Sequence, residues 1–374
     1  MLSLGSGDVP NAKYLLIGSM EAYSGKSATV LGLSDQLKDS KLDIAYGKPL
    51  GNWMNDSDES LIDADVQFIN QILQLPENKL LPSLLTLNEA NIQKRLRGED
   101  TNDYQSAATQ YLQSKGDLVL LEGPGTLEEG SLFGLSLLEI AEVVDAKVLL
   151  VARYKPVFLV EALLSAKQRL GDRLIGLLIN DIAPEQMETV NTEVRSFLEK
   201  QGVPVLGTLP KNNLLRSVSV AELVQHLGAE VLCRPDRLDL MVESLAIGAM
   251  NVNAALKYFR RRQNLAVVTG GDRVEIQLAA LESSTQCLIL TGQLPPPPFI
   301  LSKAEELEIP ILSVDLDTLS TVEIIDRTFG QVRLHEPIKV QCIRELMQEH
   351  FDIERLLSQL DLKPAVALPQ NLMK

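Results

Sequence analysis

A segment near the start of the chain has the residue types of a phosphate-binding loop. The segment Gly18–Ser27 reads GSMEAYSGKS and lies between a short apolar run and a stretch with helical spacing. In such a loop, consecutive backbone N–H groups surround a phosphate, and the N-terminus of the next helix adds positive potential. Lys26 would reach the β- and γ-phosphates of a nucleotide, and the Ser27 hydroxyl would bind Mg²⁺. Ser24 and Gly25 complete the candidate nucleotide-binding residues, since Gly25 lets the backbone approach closely.

The loop departs from the usual pattern at one position. That pattern has a glycine where this chain has Met20, and Gly18 lies two residues too early. We therefore interpret the segment as a variant phosphate loop. The alternative is a chance Gly-Lys-Ser at the start of a helix.

Three further candidates follow predicted strands. Lys48 follows the second strand, Glu122 ends the strand predicted at 117–121, and Asn180 ends a later one. In a parallel sheet such positions lie at the carboxyl edge, where α/β proteins bind ligands. Glu122 would hold Mg²⁺ directly or through water, and the Asn180 amide would read a purine edge. The alternatives are a surface lysine, an ordinary Gly-rich turn and a turn-capping asparagine.

An acidic segment comes after the second strand. It contains Asp56, Asp58, Asp63 and Asp65. These carboxylates are candidate metal ligands, and we assign Asp65 to the metal site with the serine and glutamate named above. A solvated first turn of a helix explains the cluster equally well.

The order of apolar runs predicts an α/β fold. Continuous apolar runs at 117–121, 147–152 and 174–179 are typical of buried strands, and stretches of helical spacing alternate with them. Strands that alternate with helices indicate βαβ units in a parallel sheet covered on both faces. The N-terminal part is therefore predicted to be a nucleotide-binding domain with this architecture.

The pattern breaks near residues 230–236, and a second, smaller α/β segment follows. We predict a first domain over 1–232, a second over 239–350, and a C-terminal helix and tail over 351–374.

The second domain carries its own candidate ligand site. Gly270, Gly271, Asp272 and Arg273 follow a predicted strand and precede a predicted helix, which suits an anionic ligand on backbone N–H groups. The basic cluster at 257–262 would face that ligand or an acidic partner. A solvated helix end is the alternative for the cluster.

Composition excludes several functional classes. The 374 residues include 35 Lys and Arg against 50 Asp and Glu, a formal charge of −15, which disfavours nucleic acid and anionic membranes as partners. The three cysteines and three histidines are too scattered for a disulfide framework, a CxxC metal site or a His-rich zinc centre. No apolar run approaches a membrane span, and residues 1–11 lack a signal-peptide core. We expect a cytoplasmic protein.

Taken in order, the motifs resemble a known combination of domains. Ser19–Ser27, Lys48–Pro49, Glu122–Gly123 and Asn180–Pro184 resemble the dethiobiotin-synthetase-like phosphate-loop fold. The second half, with TGGDR at 269–273, resembles the DRTGG domain. Both together resemble the N-terminal portion of long-form phosphotransacetylases.

The resemblance carries implications for function. In dethiobiotin synthetases, the residues that match Lys26, Ser27, Lys48 and Glu122 bind Mg-ATP for a carboxylation and ring closure. In long-form phosphotransacetylases the two domains are regulatory, and a third, C-terminal domain transfers the acetyl group. The resemblance therefore implies a chain without that catalytic domain, in which acetyl transfer is not expected.

Three hypotheses result. In the first, the chain is a regulatory or adaptor protein that senses ATP or another adenine nucleotide with Mg²⁺, or another anionic metabolite, and acts through a protein partner or as a homo-oligomer. In the second, it is an ATP-dependent ligase of the dethiobiotin or cobyrinate diamide type. In the third, it is a structural partner with a vestigial loop. A weak ATPase or ligase activity stays open.

Overall fold

The computed structural model describes residues 12–51, 64–113, 116–156, 158–330 and 336–363. The predicted carboxylates Asp56, Asp58 and Asp63 lie outside these ranges.

The strands, in chain order, are β1 (Lys13–Ser19), β2 (Ile44–Gly47), β3 (Leu50–Gly51), β4 (Leu80–Leu81), β5 (Leu85–Thr86), β6 (Leu118–Glu122), β7 (Lys147–Arg153), β8 (Leu174–Ile182), β9 (Val205–Pro210), β10 (Val218–Ser219), β11 (Glu230–Cys233), β12 (Met241–Val242), β13 (Ser244–Ile247), β14 (Leu265–Gly270), β15 (Thr285–Thr291) and β16 (Ile311–Val314).

The α-helices, in chain order, are α1 (Lys26–Asp39), α2 (Ala64–Leu73), α3 (Glu89–Leu96), α4 (Tyr104–Ala108), α5 (Leu137–Val143), α6 (Leu159–Leu170), α7 (Met187–Thr189), α8 (Arg195–Lys200), α9 (Val220–Leu227), α10 (Val252–Phe259), α11 (Val274–Leu281), α12 (Pro298–Glu306), α13 (Thr318–Gly330), α14 (Pro337–His350) and α15 (Ile353–Gln359).

A seven-stranded sheet forms the centre of the N-terminal part. Its strands have the order β4-β2-β6-β1-β7-β8-β9 and all pair in parallel. Every residue of β6 is buried, as its continuous apolar sequence predicts for a strand covered on both faces. The predicted α/β class with a parallel sheet is confirmed.

The chain forms two compact units. Unit 2 is Asn212–Arg333, and unit 1 contains the residues before it together with α14 and α15. The chain therefore enters unit 2 at Asn212 and leaves it at Arg333, whereas the predicted second domain runs from 239 to 350. The segment 230–236, where the sequence pattern breaks, contains β11, which pairs antiparallel with β16 inside the sheet of unit 2.

The C-terminal helices pack on unit 1 through α1 and β9. Arg344 of α14 forms an ion pair with Asp35 of α1, and the Met347 side chain lies against Gly32. At the start of α15, the Asp352 N–H donates to the Leu206 carbonyl of β9 at 2.8 Å. The helical segment breaks between His350 and Ile353, near the start of the predicted C-terminal segment 351–374, whereas the sequence placed α14 in the second domain.

Unit 2 is a smaller α/β body. Its five-stranded sheet has the order β11-β16-β15-β14-β13, in which only the pairing of β11 with β16 is antiparallel. Helices α9 to α13 belong to this unit, as the predicted smaller α/β domain requires.

Candidate functional site

The predicted phosphate loop connects β1 to α1, in the centre of the sheet. Gly25 is the residue before the helix and has φ +108°, a conformation that side chains rarely adopt. A Cβ at this position would also lie 2.7 Å from Asn180 Nδ2. Both constraints explain why a glycine occupies the last position before Lys26.

Lys26 lies at the base of the loop. Its Nζ atom donates to Ser19 Oγ at 3.0 Å, and the Ser19 hydroxyl donates to the Gly125 carbonyl at 2.8 Å. Burial lowers the pKa of Lys26, whereas the negative charges of Glu122 and Glu129 raise it. The loop therefore holds a half-buried ammonium group that the nearby carboxylates stabilise.

Glu122 ends β6, the strand next to β1, and is buried beside the loop. Its carboxylate accepts the Ser27 hydroxyl at 2.8 Å and the Tyr46 hydroxyl at 3.1 Å. Burial raises the pKa of Glu122, and the charge of Lys48 opposes this effect. The structure thus brings together the predicted metal ligands Ser27 and Glu122, a hydroxyl and a carboxylate of the kind that Mg²⁺ uses beside nucleotide phosphates.

Lys48 follows β2 and faces the same edge of the sheet. It is only 4% exposed, and its Nζ atom lies 2.7 Å from Asp65 Oδ2. Asp65 therefore comes next to the site through an ion pair with Lys48. Across the described ranges, no cluster of three or more His, Cys, Asp or Glu side chains could hold a metal ion. Any Mg²⁺ here would depend on phosphate oxygens and water for most of its ligands.

Asn180, at the carboxyl edge in β8, supports the loop from the other side. Its Nδ2 atom donates to the Ser24 carbonyl at 2.9 Å, and its Oδ1 atom accepts the Asp181 N–H at 2.8 Å. The amide that the sequence predicted to read a purine edge makes contacts that fix the loop. A base contact by this residue stays a prediction.

Ser24 carries the one loop hydroxyl that is buried without a partner in the described part of the chain. The residue is 1% exposed, and its Oγ atom makes no hydrogen bond there. Buried polar atoms are normally paired, so an unpaired one beside a basic loop fits a ligand that brings hydrogen-bonding oxygens.

Sequence reasoning missed several residues of this site. Tyr46 was not singled out, and Ser19 was named only as part of the loop motif, although both lie near the carboxyl ends of central strands. Arg153, at the end of β7, donates to the Tyr23 carbonyl at 2.7 Å and so holds the tip of the loop. The position of these residues at the ends of strands could have identified them from the sequence. Glu129 has no such position, because it lies in the loop after β6.

The candidate site of unit 2 is held together by its own side chains. The Arg273 guanidinium donates to the Gly248 carbonyl and, at 2.9 Å, to the Met250 carbonyl. A Cβ on Gly271 would collide with the Leu294 carbonyl oxygen. Arg273, which the sequence predicted to meet an anion, thus ties together the loops after β13 and β14. Ligand binding at this turn stays a prediction.

The backbone of this turn and the basic cluster at 257–262 also make contacts within unit 2. The Gly271 N–H donates to the Thr291 carbonyl at 3.1 Å, so this N–H already has an acceptor, while Asp272 is exposed. In the basic cluster, the Arg262 guanidinium stacks on Tyr258 at 4.4 Å and donates to the Leu245 carbonyl. Lysine and arginine side chains at 257, 260 and 261 are exposed.

Comparison with protein families identifies both parts. A family described as an AAA domain matches residues 13–219, more than half of the 374 residues. The chain belongs to this AAA-domain family. A second family, described as a DRTGG domain, matches residues 222–328. The predicted combination of a dethiobiotin-synthetase-like phosphate-loop domain with a DRTGG domain is confirmed.

Curated relatives of this AAA-domain protein include phosphate acetyltransferases. The protein of Synechocystis sp. is 26% identical over 366 residues, which cover 92% of this chain and 51% of the relative. That of Nitratidesulfovibrio vulgaris is 26% identical over 370 residues, with the same two coverages. A probable cobyric acid synthase of Methanococcoides burtonii is 27% identical over 227 residues, covering 54% of this chain and 45% of the relative. The chain spans about half the length of these curated relatives.

The sequence predicts no membrane-spanning segment, and the helices of the structure test this prediction. In the part of the chain that the structure describes, no helix is long and apolar enough to cross a bilayer.

Proposed function

We propose that this AAA-domain protein binds an adenine nucleotide with Mg²⁺ at the loop Gly18–Ser27 and acts as a regulatory or adaptor protein. The observation that carries the proposal is the half-buried Lys26 side chain of the loop, whose ammonium donates to Ser19 Oγ while the neighbouring Ser27 hydroxyl donates to Glu122. Charge-assisted hydrogen bonds from this ammonium and the N-terminus of α1 suit a phosphate group, and the buried, unpaired Ser24 hydroxyl adds a further hydrogen-bonding group.

The neighbouring residues fit a Mg-nucleotide. Lys26 would bind the terminal phosphates, and Ser27 and Glu122 would hold the metal, which supplies positive charge to the phosphate oxygens. Lys48, kept in place by Asp65, adds a second cation at the same edge of the sheet. Asn180 and Gly25 fix the shape of the loop around the phosphates.

The regulatory part of the proposal is supported by the resemblance to the N-terminal portion of long-form phosphotransacetylases, whose two domains are regulatory. The chain spans about half the length of the curated phosphate acetyltransferases that it matches. We propose that nucleotide binding changes the association with a protein partner or a second copy of the chain, and that acetyl transfer is not an activity of these two domains.

A second candidate function is an ATP-dependent ligase. The similarity to a probable cobyric acid synthase and the ion pair of Lys48 with Asp65 beside Glu122 favour it. In this case Lys26 and Lys48 would neutralise charge during phosphoryl transfer to a carboxylate substrate. Release of ADP that depends on a second small substrate distinguishes the ligase. A change of assembly state without turnover distinguishes the regulator.

The test is calorimetric titration of the full chain with Mg-ATP and Mg-ADP. Lys26→Ala is expected to weaken binding by a factor of about 100, or about 2.8 kcal/mol, because it removes a charge-assisted bond to phosphate. Lys200→Ala is the matched control, since Lys200 is exposed at the end of α8. Equal affinities for the parent and Lys26→Ala would show that the loop is not the nucleotide site.

A further inference from the structure

A carboxylate outside the proposed metal site lies against the phosphate loop. Glu129 is half-buried, and a Cβ on Gly125 would collide with its Oε2 atom. The carbonyl of the same glycine accepts the Ser19 hydroxyl, and Ser19 Oγ in turn accepts the Lys26 ammonium. Contacts therefore lead from Glu129 to the lysine at the base of the loop.

The charge of Glu129 also reaches this lysine. Its negative charge stabilises the positive charge of the Lys26 ammonium. Glu122 and Asp65 act in the same direction, and Lys48 acts against them. Two lysines thus share this pocket with three carboxylates. A polyphosphate that enters adds more negative charge to a pocket in which carboxylates already outnumber lysines.

Glu129 has a different place from the other two carboxylates. Glu122 accepts the Ser27 hydroxyl in the proposed metal site, and Asp65 pairs with Lys48. The segment of Glu129 is held separately, because its N–H donates to Thr126 Oγ1 at 3.1 Å. The Glu129 carboxylate itself lies against Gly125, whose carbonyl accepts the Ser19 hydroxyl that Lys26 contacts.

We propose that Glu129 determines the discrimination between nucleoside diphosphates and triphosphates at this loop. Its carboxylate serves as a counter-charge of Lys26, and the third phosphate of a triphosphate must compete with it. A diphosphate extends less far toward this carboxylate and is repelled less. Glu129 thereby weakens triphosphate binding relative to diphosphate binding, so that occupancy of the site follows the ratio of the two. This inference rests on the proposed function.

The experiment compares Glu129→Gln with the parent chain by calorimetric titration with Mg-ATP and Mg-ADP at one ionic strength. We expect Mg-ATP to bind about tenfold more tightly to the variant, a change of about 1.4 kcal/mol, and Mg-ADP to change by less than about twofold. Glu129→Ala should shift the ratio in the same direction without adding an amide. Glu128→Gln is the control, because that neighbour is exposed and pairs with Arg169 on the surface.

The outcomes separate the two proposals. Parent binding with an unchanged ATP-to-ADP affinity ratio in both Glu129 variants overturns the role of Glu129 and leaves the proposed function standing. The same holds if Glu128→Gln shifts the ratio as much as Glu129→Gln does. Failure of the parent to bind either nucleotide overturns the proposed function, and the role of Glu129 with it. Circular dichroism of each variant confirms that it is folded before titration.

Discussion

The contact between α1 and α14 can be tested by adding a single methyl group. Gly32 lies in the middle of α1, the helix that carries Lys26 at its start. A Cβ on Gly32 would collide with Met347 Cγ and lie 2.9 Å from Met347 Cβ. The Ile343 carbonyl oxygen of α14 would be 3.5 Å away. Gly32→Ala therefore requires the two helices to separate.

Two effects of opposite sign decide the magnitude. In a helix interior, alanine is more favourable than glycine by about 1 kcal/mol. Overpacking of a buried contact costs about 1–3 kcal/mol. Because Met347 Cβ is fixed to the backbone of α14, a rotation of the side chain cannot remove the collision. The cost of overpacking therefore outweighs the gain in helix propensity. We expect Gly32→Ala to lower the free energy of unfolding by a net amount of up to about 2 kcal/mol.

A double-mutant cycle with Met347→Ala measures this contact. Met347→Ala alone should cost about 2–5 kcal/mol, because the side chain is fully buried. The double variant should be less destabilised than the sum of the single variants by about 1 kcal/mol or more, since the smaller side chain leaves room for the new methyl group. The measurement is the thermal midpoint of the full chain, with Asp39→Ala at the exposed end of α1 as control.

One outcome would contradict the predicted cost of Gly32→Ala. A higher thermal midpoint for Gly32→Ala, with additive effects in the double variant, would show that helix propensity decides and that α14 does not pack on α1.

Three other perturbations address the pocket and unit 2. Chelation of Mg²⁺ with EDTA should weaken nucleotide binding by about tenfold or more, about 1.4 kcal/mol, because the pocket carboxylates repel a bare polyphosphate; superimposable calorimetric titrations would contradict this. Glu122→Gln should raise the thermal midpoint of the protein without nucleotide, and the gain should grow as the pH rises above 4.5. The reason is that burial raises the pKa of Glu122, so the parent loses stability as the pH rises from that ordinary value through the folded one. A gain that is constant across this pH range would refute the assignment. Arg273→Ala should lower the calorimetric midpoint of unit 2, because it removes charge-assisted bonds to the Gly248 and Met250 carbonyls of about 1.5–3 kcal/mol each. Arg261→Ala, at an exposed arginine, should leave that midpoint unchanged.

Residue types at strand ends allowed much of the site to be predicted. A strand, a Gly-Lys-Ser loop and a helix in sequence identify Lys26 and Ser27, because only the order of local elements is needed. Parallel pairing then brings Lys48 and Glu122 to the same edge of the sheet, since β2, β6 and β1 are neighbours. This reasoning needs no knowledge of distant contacts.

The missed contacts depend on partners that have no local pattern. The Arg273 guanidinium binds backbone carbonyls, which every residue has, so no residue type marks them in the sequence. The apolar face of α14 predicts burial but does not say which unit covers it. By contrast, α5 and α9 could have been predicted, because Ser136 with Glu139 and Ser219 with Glu222 form capping boxes at their starts.

The insertion of unit 2 between β9 and α14 has a consequence for synthesis on the ribosome. About 300 residues separate the end of α1 from the end of α14. At about 5–20 residues per second, the surface of α1 around Gly32 waits roughly 15–60 seconds for the helix that covers it. Throughout that time the part of α1 that Met347 covers in the folded chain is accessible to a chaperone or to another nascent chain. Unit 1 is therefore completed only after the unit inserted into it has been made.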